Sequence, residues 1–311
     1  MISLENVSKR YGRMLALDGV SFGTVKGKIT GLLGRNGAGK TTALNLMSGF
    51  LPPSSGRVLV DGMDMMERPR ECKRLIGYLP EKPPLYEEMT VRDYLRFVCD
   101  LREVAPRGRE KHIDEILGVC ALGEVRERVI GHLSRGYRQR TGIAQALCGI
   151  PEILLLDEPS AGLDPTQAAD TRKLIRELGK DHTILFSSHM LTEVQQICDR
   201  AVILHEGKVI RSFDLRENRE QNQIRLRLDV AGEEQTLLPA LRSLDCVRRI
   251  EKLPAEEEGT LSLVVSGAER DARGRMTDQL FRLLAALDCP IRRMTPERDD
   301  LEAVFLEATS R

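Results

Sequence analysis

Nine residues, Gly-Arg-Asn-Gly-Ala-Gly-Lys-Thr-Thr at positions 34–42, leave this chain little freedom in how it folds. They fit the spacing G-x-x-x-x-G-K-[ST], with Gly34, Gly39, Lys40 and Thr41 on the fixed positions. Ile29-Thr-Gly-Leu-Leu33 before them reads as a short apolar strand, and Ala43-Leu-Asn-Leu-Met47 after them has helical spacing. A strand feeding a glycine-rich turn at a helix N-terminus aims backbone N–H groups and the positive dipole end at a phosphate. Gly34, Gly37 and Gly39 reach the backbone angles that wrap an anion, with Arg35, Asn36, Ala38 and Thr42 completing the candidate nucleotide contact. In such a turn Lys40 reaches the β- and γ-phosphates, and the Thr41 hydroxyl sits on Mg²⁺.

The 311 residues suffice for one large domain and a small one. Forty-seven basic and 47 acidic residues cancel, so no overall field draws the chain to nucleic acid or anionic lipid. The seven cysteines (72, 99, 120, 148, 198, 246 and 289) form no C-x-x-C pair and sit mostly in apolar surroundings. That pattern predicts reduced, buried thiols in a cytosolic protein. The N-terminal residues lack the basic start and apolar stretch of a secretory signal, and no window holds 18 uninterrupted apolar residues. Any membrane role is therefore expected to run through a partner.

Strand patterns fall at 2–7, 16–25, 29–33, 57–60, 75–79, 153–157, 183–187, 201–204 and 208–212. The segments 29–33, 153–156 and 183–187 are nearly all apolar, which suits central strands covered on both faces. Between about 83 and 150 the strand signal gives way to 3.6-residue spacing over 90–101, 109–122 and 135–148, predicting an all-helical insertion into an α/β core. Residues 216–222 lie in a polar run without period, a candidate linker. Beyond it, Ile224, Leu226, Leu228 and Val230 alternate with Arg225, Arg227 and Asp229, a strand with one wet face. A helix (236–244), strands (246–253 and 260–266), a helix (273–287), a strand near Ile291 and a last helix (301–308) follow. The order βαββαβ predicts a small α+β ferredoxin-like module over 223–311.

Ile153-Leu-Leu-Leu-Asp157-Glu158-Pro159 is an apolar strand ending in two carboxylates. Asp157, at the strand end, can hold Mg²⁺ through a water, and Glu158 then lies where it can orient and deprotonate an attacking water. His189 follows the apolar strand ending Phe186-Ser-Ser188; a neutral imidazole there can hydrogen-bond the γ-phosphate. Leu133-Ser134-Arg135-Gly136-Tyr137 opens a helix, with Ser134 as its N-cap.

Taken in order, these segments resemble an ATP-binding cassette (ABC) ATPase subunit. The phosphate loop at 34–42, Gly77-Tyr-Leu-Pro-Glu81 at the Q-loop, the signature at 133–137, the Walker B run 153–158, the D-loop Ser160-Ala-Gly-Leu-Asp164 and the switch His189 follow the family's sequence of motifs. Tyr11 matches its adenine-stacking aromatic. The resemblance covers about residues 1–215. The segment Asp300-Leu-Glu-Ala-Val-Phe-Leu-Glu307 is similar to the C-terminal extension of ABC-2 type exporter ATPases, the gliding-motility-associated subfamily in particular.

The resemblance implies an α/β P-loop core over 1–215 with a helical subdomain inserted at about 83–150, then the accessory domain. It implies an ATPase using ATP and Mg²⁺, with Lys40, Glu158 and His189 catalytic and Thr41, Glu81 and Asp157 at the metal. Two copies, or one copy and a related ATPase, are expected to pair head to tail, so that Ser134 and Gly136 cap the γ-phosphate held by the partner. A separate integral membrane permease is expected to dock near Lys82-Pro-Pro-Leu-Tyr86 and the helix from Val91, placing the chain on the cytoplasmic face of the cell membrane as the motor of an exporter. Two departures stand out: Glu81 replaces the usual Gln, and Arg135 replaces a glycine. Arg135 is either a cation at the phosphate or partner, or a solvated side chain. The other functional class is a soluble ABC ATPase with a regulatory, nucleic-acid or ribosomal role. Zero net charge and a compact interval between Lys40 and Ser134, without sustained heptads, disfavour it.

Overall fold

The structure, a computed structural model, describes residues 1–215, 223–254, 259–268, 270–271, 274–296, 301 and 305. Met1–Asp214 forms one compact unit, and the described residues from Leu215 to 305 belong to a second. The candidate linker at 216–222 and most of the last predicted helix lie outside the described residues, of which Leu301 and Phe305 are helical.

The first unit holds two sheets. Strands β1 (Ile2–Tyr11), β2 (Met14–Gly23), β4 (Ser55–Val60) and β5 (Met63–Asp64) form an antiparallel sheet in the order β2-β1-β4-β5. Strands β3 (Ile29–Leu33), β6 (Ile76–Leu79), β7 (Ile153–Leu156), β8 (Thr183–Ser188), β9 (Arg200–His205) and β10 (Lys208–Asp214) form the other, in the order β10-β9-β3-β8-β7-β6. All neighbours in it are parallel except β10, which runs against β9. The apolar runs predicted to be central are β3, β7 and β8, every residue of which is buried. Helix α1 (Lys40–Met47) buries Ala43, Leu44, Leu46 and Met47 in one core cluster with Leu4, Leu17 and Val20 of the antiparallel sheet and Leu32, Leu155 and Leu185 of the parallel one. Its fixed place in that core is what aims its N-terminus.

Between β6 and β7, with α2 (Pro69–Arg74) preceding them, come α3 (Val91–Leu101), α4 (Arg109–Val119) and α5 (Arg135–Leu147). Thr90 caps α3 by accepting from the Asp93 N–H at 3.1 Å, so the helix starts one residue later than its spacing predicts. Helix α4 ends at Val119 rather than 122, because Ala121 turns to φ +52°. The first two strands also differ from prediction. β1 runs on to Tyr11 and β2 starts at Met14, since Gly12 takes φ +58° and pairing persists up to the turn. Helices α6 (Pro165–Leu178) and α7 (Leu191–Ile197) complete the unit.

In the second unit, β11 (Gln223–Ala231), α8 (Glu234–Arg242), β12 (Val247–Lys252), β13 (Thr260–Ala268), a short hairpin of β14 (Arg270–Asp271) and β15 (Gly274–Arg275), α9 (Met276–Ala286) and β16 (Ile291–Pro296) follow in order. The sheet order β12-β13-β11-β16, antiparallel throughout, is the ferredoxin-like arrangement that βαββαβ predicts. Leu226, Leu228, Val230, Leu261, Leu263 and Val265 face α8 and α9 in its own core.

Candidate active site

The parallel strands end side by side, because β3 pairs with β8 and β9, and β7 pairs with β6 and β8, in matched register. Whatever follows each strand therefore collects at one edge, where open α/β sheets bind ligands. Gly34 follows β3, Asp157 and Glu158 follow β7, and His189 follows β8. A cleft of about 650 Å³ opens there, lined by Arg35, Asn36, Gly37, Gly39, Lys40, Thr41 and Thr42 of the phosphate loop. Glu81, Glu158, Ala161 and His189 line it from the other strand ends.

The loop's shape depends on two glycines. Gly39, at the N-cap of α1, holds φ at +105° with no side-chain cap, and a Cβ there would meet the Ala16 carbonyl at 2.8 Å. At Gly34 a Cβ would fall 2.4 Å from the Leu204 carbonyl. Alanine at either position would have to push backbone aside. The first turn of α1 contains no acidic side chain, so no carboxylate competes for its dipole.

Lys40 is buried, yet its ammonium is well satisfied. Nζ donates to the Gly34 carbonyl at 2.7 Å and the Arg35 carbonyl at 3.2 Å, and lies 3.1 Å from Glu158 Oε1. The other Glu158 oxygen, Oε2, is 2.8 Å from His189 Nδ1. Glu158 thus sits between two potential cations, on a backbone turned to φ +46°, a conformation that surroundings must enforce. Its N–H donates to Ser187 Oγ at 2.9 Å, and Ser187 Oγ donates to Asp157 Oδ1 at 2.6 Å. Ser187, read from sequence only as strand, links the Asp157 carboxylate to the backbone of Glu158. Its signal was a hydroxyl at the end of an otherwise apolar run.

Asp157 is fully buried, and its Oδ2 has no hydrogen-bond partner. Burial pushes its carboxyl above the usual range; the Ser187 and Thr41 hydroxyls oppose the shift, and the nearby charges of Glu158 and Glu81 add to it. A carboxylate kept buried and half-satisfied is chemically suited to a cation. Among the described residues no three His, Cys, Asp or Glu side chains gather closely enough to hold a metal alone. Mg²⁺ needs no such cage, since one or two protein ligands, waters and the nucleotide's phosphates complete its shell. Asp157 and Thr41 therefore fit the ion, with Glu81 at the same cleft.

Two groups of predicted residues stand elsewhere. Ser134 caps α5, accepting from the Tyr137 N–H at 3.5 Å, and with Gly136, Tyr137, Arg140 and Gln167 it lines a separate cavity of about 200 Å³. The chain does not bring them to its own phosphate loop. Tyr11 closes β1 opposite Met14, is exposed, and carries Lys9 Nζ 5.4 Å from its ring centroid. The cleft wall beside it is made instead by Met14, Leu15 and Ala16, with Glu206 and Gly207 beyond β9. A hairpin tip carries no chemical signature, so sequence reading passed over these residues.

The model of the ABC transporter family matches residues 17–161. The linearmycin resistance ATP-binding protein LnrL of Bacillus subtilis (strain 168) is 31% identical over the whole chain and 99% of its own length. The bacitracin transport ATP-binding protein BcrA of Bacillus licheniformis is 33% identical over 76% of this chain and 78% of its own. Among solved structures, the dimeric post-hydrolysis state of the ATP-binding cassette MJ0796 bound to ADP and Pi superposes with a TM-score of 0.63. It is 25% identical and covers 69% of this chain and 99% of that one. The chain belongs to the ATP-binding proteins of ABC transporters, and it is an ATPase subunit of that family. Among the described residues no helix is long and apolar enough to cross a membrane.

Proposed function

We propose that this chain is the motor of an ABC exporter, acting as a head-to-tail dimer beneath a separate membrane permease. The observation that carries the reading is the placement of Glu158 between Lys40 and His189 in the cleft, while Ser134 and Gly136 line a different cavity. One chain can thus hold a triphosphate and a base, but its signature is free to serve another copy's nucleotide.

In that reading the N–H groups of α1 and Lys40 bind the phosphates, and Thr41 and Asp157, with Glu81 beside them, would hold Mg²⁺, whose charge would supply screening of the phosphates. Glu158 orients the attacking water and takes its proton. His189, 2.8 Å from Glu158, fixes the carboxylate's orientation and can also meet the γ-phosphate. Ser134, its helix dipole and the Gly136 N–H cap the partner's γ-phosphate, so that ATP bridges the copies and hydrolysis releases them.

For the permease, the segment after Glu81 offers a shaped surface. Tyr86 is half exposed and packs on Phe97 (centroids 5.2 Å apart) and Tyr94 (6.0 Å), and the Tyr94 hydroxyl donates to the Pro84 carbonyl at 3.2 Å. Residues 82–86 are thereby pinned to α3, as a docking edge close to the nucleotide should be. Relatives named for bacitracin transport and linearmycin resistance support export as the direction and the cytoplasmic membrane face as the location, over a soluble nucleic-acid or ribosomal ATPase.

Glu158→Gln tests the reading. Turnover should fall at least about 100-fold, and the variant with Mg·ATP should elute as a dimer that ADP does not support. Parental turnover would remove Glu158 from the role of base, and a monomer would remove the bridging nucleotide.

A further inference from the structure

Arg135 stands where the signature usually has glycine, and its side chain is not among those lining the nucleotide cleft. It turns back onto its own chain. Nη2 donates to the Ala161 carbonyl at 3.0 Å. The guanidinium also lies against Gly162, where a Cβ would fall 2.2 Å from Nη2 and 2.3 Å from Cζ, and where φ is +66°. A Cβ at 162 would push the exposed guanidinium aside, and the positive φ disfavours a side chain there in any case.

Two further contacts lock the same helix tip to α6. At Gly136 a Cβ would meet Gln167 Oε1 at 2.7 Å, so the backbone of α5 touches that side chain. Arg140 Nη2 donates to Asp170 Oδ2 at 2.9 Å. The start of α5 is therefore tied to the first turns of α6 as well as to the loop before it.

The path continues through the Ala161 peptide. Its N–H donates to the Glu158 carbonyl at 3.0 Å, and Glu158 is the residue held at φ +46°. A charge-assisted bond on one side of this loop and a backbone bond on the other join the signature helix to the base in two steps.

We propose that Arg135 is a positioning residue acting within its own chain: it pins the Ala161–Gly162 loop to the signature helix and thereby sets Glu158. The inference rests on the head-to-tail reading, in which Ser134 and Glu158 of one chain serve different nucleotides. Arg135 then lets the nucleotide that a chain completes for its partner bear on the base it keeps for itself. A cation acting directly on the partner's phosphate would have the opposite signature.

Mixed dimers of differently tagged full-length chains, isolated by both tags, separate the two. In the first, one chain carries E158Q and the other R135A, so the remaining base shares a chain with the lesion. In the second, both substitutions are on one chain, and the remaining base keeps its Arg135. The first should turn over about tenfold more slowly, with KM for ATP changed less than about twofold, as expected for a base slightly out of place. R135K, whose ammonium can still reach the Ala161 carbonyl, should recover most of the loss. Equal rates, or a slower second dimer, would overturn the inference. G162A, which displaces the guanidinium but keeps it, should reproduce the asymmetry should R135A fold poorly, and symmetric rates there overturn it equally. An E158Q chain that stays monomeric with Mg·ATP sinks the head-to-tail reading and this inference together. A normal E158Q dimer with symmetric mixtures sinks the inference alone.

Discussion

The two units differ in what surrounds their buried carboxylates. In the second, the sheet face that alternation predicts to be wet is largely covered, with Asp229 buried, and its charges pair with one another. Arg225 Nη2 lies 3.5 Å from Glu251, and Asp229 Oδ2 lies 3.3 Å from Arg293 Nε and 3.7 Å from Arg227 Nε. Strands β11 and β13 pair through nine residues without a register shift. In the first unit, the strand ends gather a buried carboxylate with an unpartnered oxygen, a base on a strained backbone and a buried lysine. Regular pairing there stops where the chemistry begins. An unpartnered oxygen alone does not mark the site, since Asp229 Oδ1 in the second unit has no hydrogen-bond partner either; its combination with a strained base and a buried lysine marks the part of a fold built to be completed by something else.

That contrast can be broken most sharply at Asp157. Asp157→Asn keeps an acceptor for Ser187 but removes the carboxylate, and turnover should fall by about 10² or more. The same change should stabilise the nucleotide-free protein at pH 7, raising Tm by roughly 2–4 °C, the response of a unit this size to about 1 kcal/mol. The sign follows from its raised pKa. Between the unfolded and folded values the folded state keeps a proton that the unfolded state has lost, so stability falls as pH rises through that window. The full penalty applies above it, and the gain from Asn should vanish below the ordinary aspartate range. Melting curves across pH check both limbs; equal Tm values at pH 7 would mean that the site is not a stability liability.

A core change in the second unit should show the reverse pattern. Leu263 is fully buried at the centre of β13, and Leu263→Ala should destabilise that unit by about 2–5 kcal/mol. ATP turnover should stay within about twofold, because Leu263 packs in a core made of its own unit's residues. Chemical denaturation alongside steady-state turnover reads both, and a tenfold loss of turnover would show the units to be energetically inseparable. The smallest effect belongs to the charged face of that sheet. Arg225→Ala should change stability by less than about 1 kcal/mol, as for other partly exposed ion pairs. A loss above about 2 kcal/mol in the same denaturation series would show those charges acting as a network.

What the sequence determined by itself was local. Glycines at fixed distances from Lys40 specified the phosphate turn, three apolar runs specified β3, β7 and β8, and Ser134 announced α5. Each depends only on bonded neighbours, on period and on backbone angles, so each was legible. The alternation from Ile224 to Val230 likewise foretold β11 and the order of its module. Strand boundaries drifted by a few residues wherever a turn glycine, such as Gly12, let pairing run on. Tertiary structure alone decided that Lys40 meets Glu158, that Ser187 joins the Asp157 carboxylate to the Glu158 backbone, that Met14 and Leu15 rather than Tyr11 wall the cleft, and that Arg135 grips its own Ala161. Those contacts join residues far apart in the chain. They depend on the order and register of strands, which are set by how whole faces bury against each other and are written in no single segment.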